Sequence, residues 1–309
     1  MTNMHEHMGL LGQKHAIAIH DISCVGRCSL TVVLPILSAA GIHTSVIPTA
    51  LLSTHTGEFT GYTHLDLTDQ LKPIANHIAT LGLHFDALYS GYLASSTQAR
   101  LVSKTMDLLC DPETQVLVDP AFADHGRLYS LMDTAMPDEM RKLCSRAHII
   151  VPNLTEAAFL LNIPYPQSGY SPSYIAEMVQ GLSELGPNSV VLTGISFEPS
   201  QTGIAVYQKG MPSPFYFFTP LYAGIFHGTG DVFASFLLSA MLFEKELVTA
   251  ARLALELTHE SIRLTMQAGE PLRYGVQFEL VLPKLAAKIQ AIKNGMDMNW
   301  FSSEFRNGI

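Results

Sequence analysis

A layered α/β fold, with a mostly parallel central sheet and helices on both faces, is predicted by three observations. Short apolar runs alternate with longer segments of helical character, and the first two runs enclose a helix in a βαβ unit. Polar residues repeatedly stand directly after the apolar runs, at the carboxyl ends of strands, where an open parallel sheet gathers its ligand. Late in the chain, Gly228-Thr229-Gly230-Asp231 leads straight into an apolar segment of helical character, Val232 to Phe243.

The first strand is expected from His15 to Ile22, breaking into Ser23-Cys24-Val25-Gly26-Arg27-Cys28. Ser29 then caps a helix that runs to about Ala40 and stops at Gly41, a residue suited to a left-handed terminus. Thr44 to Leu52 reads as the second strand, followed by Ser53-Thr54-His55-Thr56-Gly57 and by a polar, aromatic segment, Glu58 to Asp66, that suits a flap. A helix over Thr68 to Leu81, a strand from Phe85 to Gly91 and a helix from Ser95 to Cys110 come next. Gln115 to Asp119 is the fourth strand, with Asp124-His125-Gly126 just beyond it. Residues 147–152 form the fifth, after which Asn153-Leu154-Thr155-Glu156 begins a helix; Ser189 to Thr193 is the sixth. Thr202 to Tyr207 and Phe215 to Thr219 pattern as an antiparallel hairpin, and residues 246–268 and 276–292 as two last helices. The expected organisation is a polar leader over residues 1–14, one domain over 15–293 and a tail over 294–309.

Composition narrows the function. With 309 residues, 48% of them hydrophobic, the chain can bury a substantial core. A formal charge of -9 without a long basic run argues against nucleic acid and against an anionic membrane surface. No apolar run has the length and charge-free character of a membrane span. Four cysteines, with no secretory leader ahead of them, fit a reducing cytoplasm. Cys24 and Cys28 lack a second pair at zinc spacing, and His5 and His7 fall in the polar leader. Cys24 reads as a buried, inert thiol, with a thiolate favoured by Arg27 as the alternative.

The Gly-Thr-Gly-Asp turn carries the chemistry. Glycines let the backbone approach a ligand closely, and the free N–H groups of a helix start receive an anion such as phosphate. Asp231 in such a place either caps the helix or takes a proton from a hydroxyl that attacks a phosphoryl group. A dinucleotide fingerprint is excluded because Phe233 stands where a third glycine is required, and a P-loop because the chain has no Gly-Lys pair.

Asp119-Pro120, Pro152-Asn153 with Glu156, Thr193-Gly194 and Gly228-Thr229-Gly230-Asp231, in that order, resemble the ribokinase superfamily, whose fold is a three-layer sandwich. Val25-Gly26, the His-Thr-Gly within Ser53 to Gly57, and Gly91-Tyr92 are similar to the vitamin pocket of its pyridoxal kinases. The resemblance covers roughly Ala16 to Met266. It implies ATP-dependent phosphorylation of the 5′-hydroxymethyl group of a B6 vitamer. Asp231 would be the base, with the N–H groups of Gly228, Thr229 and Gly230 as an anion hole. Asn153, Thr193, Gly194 and Phe233 would meet the nucleotide, and Glu156 and Asp124 would serve magnesium, largely through water. Asn153-x-x-Glu156 is equally a helix-capping arrangement. His55, Thr56 and Tyr92 would enclose the vitamer, with His20, Asp21 or Ser23 at its pyridine end. Potassium, without identifiable ligands, and a homodimer are also implied.

The chain departs from the pattern around Val25-Gly26, where Ser23-Cys24 precedes and Arg27-Cys28 follows, so the preferred vitamer is not fixed by the resemblance. A hydroxymethylpyrimidine kinase is the alternative enzyme, disfavoured because such relatives often carry cysteine where Asp231 stands. A non-catalytic vitamer sensor is the alternative outside enzymes, and the intact Asp231 argues against it.

Overall fold

The structure, a computed structural model, describes residues 12–244 and 246–295. The expected leader and tail lie outside the described residues except for 12–14 and 294–295, and His5 and His7 lie outside them altogether. The strands are β1 (His15–Val25), β2 (His43–Thr54), β3 (His64–Asp66), β4 (Ala87–Ser90), β5 (Gln115–Val118), β6 (Ala123–Asp124), β7 (Arg127–Leu128), β8 (Ile149–Ile150), β9 (Ser189–Ile195), β10 (Gln201–Gln208) and β11 (Phe215–Pro220). The helices are α1 (Leu30–Ala39), α2 (Thr68–Thr80), α3 (Ser96–Leu109), α4 (Met136–Cys144), α5 (Leu154–Leu161), α6 (Pro172–Glu184), α7 (Thr229–Met241), α8 (Leu247–Ala268) and α9 (Leu282–Lys293).

Among the described residues, nine strands form one sheet in the order β11-β10-β9-β8-β5-β4-β1-β2-β3. From β9 to β2 the pairings are parallel, as the βαβ pattern predicts. The late hairpin is antiparallel within itself and also against β9. Strand β6 pairs only with β7, beside the sheet.

Side-chain alternation along β1 sets the layers. Ala16 and Ala18 join a core with Ile36 of α1, Phe236 of α7, Leu253 of α8 and Leu285 of α9. Ile17 and Ile19 face the other way, into a core with Leu71, Val102, Met140, Leu160 and Val179 from α2 to α6. The small residues on one face and branched ones on the other match the period-2 pleat. No helix among the described residues is long and apolar enough to cross a membrane.

Several boundaries differ from expectation for physical reasons. Strand β1 does not stop at Ile22: after a register shift between His20 and Ile22 it continues to Val25, pairing with Thr54 of an equally lengthened β2. The pairing supplies backbone partners that the turn-like composition of Ser23 to Gly26 concealed. The last three residues of the expected flap form β3, paired antiparallel to β2. Helices α4 and α6 were not foreseen; each has proline in its first turn, and the Ser171 side chain caps α6 through the Tyr174 N–H. The 276–292 helix opens with a 3-10 turn, Phe278–Val281, ahead of α9. Helix α7 begins at Thr229 rather than Val232, which makes Asp231 its third residue.

Phe236 is fully buried between the sheet and the helices on the α7 side. Truncation by Phe236→Ala is expected to cost about 3–5 kcal/mol in a denaturant unfolding curve, through lost burial and a residual cavity.

Candidate functional site

A cavity of about 730 Å³ opens at the carboxyl ends of the parallel strands and the start of α7. Asp21 and Ser23 reach it from β1, His55 and Thr56 from the end of β2, Tyr92 from beyond β4 and Asp119 from beyond β5. Asp124, Asn153, Glu156, Thr193 and Gly194 continue the wall, and Gly228 to Asp231 with Phe233 close it. Every residue of the expected site except His20 therefore lines one space.

The Gly228 turn is held from behind. Gly228 has φ +74°, and a Cβ there would lie 2.0 Å from the Arg27 carbonyl oxygen, so only glycine fits. The Thr229 hydroxyl donates to the Phe226 carbonyl at 3.0 Å, fixing the turn. Asp231 accepts the Ser29 N–H at 2.9 Å. Its side chain still touches the cavity, yet protein surrounds it closely. Burial foremost pushes its carboxyl up to about 7, against the Ser29 hydrogen bond and with help from Asp21. A base of that strength is half ionised near neutrality and can both take and release a proton.

Ser29 was expected to cap α1 with its side chain and does not. Its hydroxyl donates instead to Asp21 Oδ1, while its backbone adopts φ +56°, uncommon outside glycine. One serine thus bridges Asp21 and Asp231, a connection that no local sequence signal encodes.

Asp119 and Glu156 are buried. Burial and then Asp231 push the Asp119 carboxyl well up, and burial and then Asp119 do the same to Glu156. Glu156 accepts the Asn153 N–H at 2.8 Å and the Phe122 N–H at 3.3 Å, while Asn153 Oδ1 accepts the Glu156 N–H at 2.9 Å. The capping box is therefore complete, and Asn153 Nδ2 donates to the Ala123 carbonyl as well. The Asn153 amide is committed to the fold, which leaves it lining the cavity rather than reaching into it. Asp124 is exposed and accepts the His125 N–H at 2.8 Å. The Thr193 hydroxyl donates to the Pro152 carbonyl at 3.3 Å, and Gly194, at φ +72°, borders open space.

Five carboxylates line the cavity, from Asp21, Asp119, Asp124, Glu156 and Asp231, and among the described lining residues there is no Lys or Arg. An anionic ligand must therefore bring its own cations and use the helix start. Among the described residues no three His, Cys, Asp or Glu side chains form a ready cation cage. Asp119 and Glu156 nevertheless fit magnesium, which needs one or two carboxylates and takes its other oxygens from water and phosphate.

Two sequence expectations change. His20 is fully buried behind the cavity, edge-on to Tyr89 with centroids 4.3 Å apart and facing Gly91, where a Cβ would lie 2.3 Å from its ring. Burial pushes its pKa down to about 3, so it is a neutral interior ring and not a ligand contact. His55 lines the cavity but spends both ring nitrogens on backbone: Nδ1 accepts the Gly57 N–H at 3.1 Å and Nε2 donates to the Arg273 carbonyl at 2.6 Å. It presents ring surface, not a hydrogen bond.

His55 belongs to a clasp. His227 Nε2 donates to Glu58 at 2.8 Å, the His55 and His227 rings lie 4.7 Å apart, and Phe59 packs on Tyr274 beneath the Arg273 guanidinium. The flap is thereby tied to the residue just before Gly228. Sequence reasoning also gave no role to Cys28, Tyr129 or Asp119. Cys28 lines the cavity with its thiol pushed well up by burial, then by Asp231 and Asp21. Tyr129 faces Tyr92 with centroids 6.5 Å apart, positioned by the β6–β7 turn, and has no sequence signature. Asp119 alone carried a signal, its Asp-Pro pair after a strand. Cys24 is exposed, not buried, and the Arg27 guanidinium pairs with Glu279 at 2.8 Å.

The profile of the phosphomethylpyrimidine kinase family matches residues 34–274. A Bacteroides thetaiotaomicron protein assigned to the phosphomethylpyrimidine kinases and crystallised with pyridoxal is 36% identical, with a TM-score of 0.84 over 88% of this chain and 96% of that one. Pyridoxal kinase from Lactobacillus plantarum is 27% identical, with a TM-score of 0.81 over 89% and 97% of the two chains. A curated Schizosaccharomyces pombe relative assigned as a pyridoxal kinase is 23% identical over 208 residues, 63% of this chain; the match spans only 58% of that protein's length.

The raised carboxyl of Asp231 has a consequence for stability. The folded state disfavours its ionised form, so the destabilisation grows as pH rises from the unfolded carboxyl range and is complete above about 7. Asp231→Asn is expected to raise the ligand-free thermal midpoint more at about pH 8 than at about pH 5; an equal shift at both would contradict a carboxyl raised by the fold.

Proposed function

This chain belongs to the phosphomethylpyrimidine kinase family, and we propose that it transfers the γ-phosphoryl group of ATP to the 5′-hydroxymethyl group of a B6 vitamer. The observation that carries the reading is Asp231, a half-buried carboxylate near neutral pKa at the third position of α7, beside the free N–H groups of a glycine turn. The Bacteroides relative crystallised with pyridoxal supports the acceptor class.

In this mechanism the vitamer's hydroxyl donates its proton to Asp231, which the Ser29 N–H holds in aim. The hydroxyl oxygen attacks the γ-phosphorus in line, and ADP leaves. The N–H groups of Gly228, Thr229 and Gly230 receive the transferring phosphoryl oxygens. Asp119 and Glu156 would hold magnesium, with Asp124 acting through water; the ion would supply charge neutralisation for the phosphates in a cavity whose described lining has no Lys or Arg. Thr193, Gly194 and Phe233 border the nucleotide's end, and Thr56, Ser23, the His55 ring and the Tyr92–Tyr129 pair enclose the vitamer's end. The clasp between Glu58 and His227 holds the flap over the reacting groups, where water would divert the phosphoryl group. The reading carries with it one kinase domain over residues 15–293, a homodimer, potassium dependence and a cytoplasmic setting.

The family description names a phosphomethylpyrimidine acceptor, and a hydroxymethylpyrimidine is the corresponding alternative to a B6 vitamer. The test is ADP release with magnesium and ATP, run with pyridoxal, pyridoxamine, pyridoxine and hydroxymethylpyrimidine. Turnover on B6 vitamers is expected, and Asp231→Asn is expected to lower kcat by roughly 10²–10⁴-fold. For the unaltered protein, kcat/KM should rise through about pH 7 as Asp231 ionises, then level off. Preference for the pyrimidine would transfer the assignment to the other acceptor, and ADP release independent of any acceptor would end the kinase reading.

The flap gives a separate expectation. His227→Ala should raise the amount of ADP formed per phosphorylated vitamer above one to one, measured by quantifying both products. Unchanged stoichiometry would remove the water-excluding role of the clasp.

A further inference from the structure

Asp21 is a carboxyl group set into the wall of the cavity, 4% exposed, with no Lys or Arg among the described lining residues. Its oxygens accept from two hydroxyls: Ser29 on Oδ1, and Ser23 on Oδ2 at a long 3.4 Å. A carboxylate offers about four acceptor positions, so capacity remains toward the cavity. Burial pushes this carboxyl up, opposed by the Ser29 hydrogen bond, then by its own backbone N–H, Ser23 and the more distant His64. A buried carboxyl this poorly compensated is completed by a ligand that brings a donor, best of all a cation.

Its relation to Asp231 says where that donor belongs. Ser29 gives its N–H to Asp231 and its hydroxyl to Asp21, so the two carboxyls flank a single residue, whose φ of +56° is maintained by both bonds. Two acceptors that close suit neighbouring substituents on one ring. On a B6 vitamer the neighbour of the 5′-hydroxymethyl group is the 4′ substituent: an ammonium in pyridoxamine, a hydroxyl in pyridoxine, an aldehyde in pyridoxal. The aldehyde has no proton to offer.

We propose that Asp21 determines specificity, accepting a hydrogen bond from the 4′ substituent and favouring the ammonium of pyridoxamine. The inference rests on the kinase reading above and names the vitamer that this site prefers. Ser29 is the positioning residue that holds Asp21 and Asp231 beside one another, one through its hydroxyl and the other through its N–H.

The experiment compares kcat/KM for pyridoxamine, pyridoxine and pyridoxal in the unaltered protein and in Asp21→Asn. Asparagine keeps the shape, loses the charge and offers an N–H to an aldehyde oxygen. The ratio of pyridoxamine to pyridoxal is expected to fall by at least about tenfold, the scale of a charge-assisted hydrogen bond. A ratio changed by less than about twofold in a folded variant, or an equal loss on all three vitamers, overturns the assignment; the equal loss would place Asp21 at the shared ring nitrogen. If Asp21→Asn does not fold, calorimetric binding to the unaltered protein decides. Pyridoxamine should then bind more tightly than pyridoxine, which differs only at the 4′ group, and parity overturns the inference. Absence of turnover on every vitamer in the unaltered protein would sink the kinase reading and this inference together, an outcome distinct from turnover without selectivity.

Discussion

The contact between two turns, Arg27 to Ser29 at the start of α1 and Gly228 to Asp231 at the start of α7, is the constraint on which the rest of the site depends. The Arg27 carbonyl occupies the space a side chain at residue 228 would need, and the Ser29 N–H reaches Asp231. A turn pressed this closely against its neighbour keeps its own N–H groups in one orientation, ready for an anion. Two helices from opposite ends of the chain thereby act as one rigid element. The strained backbone of Ser29 is maintained by what it joins, as is usual for strain at functional positions.

Electrostatics makes the empty cavity unfavourable and the filled one favourable. Five carboxylates facing one space repel each other, and the described lining supplies no Lys or Arg to offset them. Burial is the first cause of the raised proton affinities of Asp231, Asp119, Glu156 and Asp21, and a neighbouring carboxylate adds to it for the first three. In the proposed reading, a nucleotide with its metal ions would offer the missing positive charge and accept the helix N–H groups at once. The same arrangement discriminates, because a bare anion gains only the helix start and meets the carboxylates.

Capping and ligand binding, which look like competing explanations for Asn153 and Glu156, are satisfied by the same atoms. The reciprocal bonds of the capping box hold Glu156 at the cavity wall with one orientation, 2% exposed and close enough to Asp119 for that carboxylate to raise its proton affinity. A carboxylate positioned by its own helix start needs no further support to serve as a fixed acidic group. The flap shows a related economy: the pairing of Glu58 with His227 ties the cover to the chain segment that forms the anion turn, so closure and turn geometry are mechanically linked.

The sequence by itself determined the α/β class, the parallel strands with their late antiparallel hairpin, and a Gly-Thr-Gly-Asp turn at a helix start on the cavity wall. Those features are written in local signals: apolar period, glycine placement and polar residues after strands. Most of the wall was legible for the same reason, since a residue that follows a parallel strand has only one end of the sheet to occupy. Tertiary structure alone decided which of those residues are free to act. His20 and His55 share a position after or near strand ends, yet one is packed against Tyr89 inside the sheet and the other has both nitrogens bound to backbone. Ser29 reads as an ordinary helix cap, and only the approach of residue 231 across some two hundred positions turns it into a bridge between two carboxyls. Tyr129 and the Glu58–His227 clasp likewise exist only once distant segments meet. Local propensity is set by neighbours in the chain, whereas hydrogen-bond commitment and proton affinity are set by neighbours in space, and a single sequence records only the first.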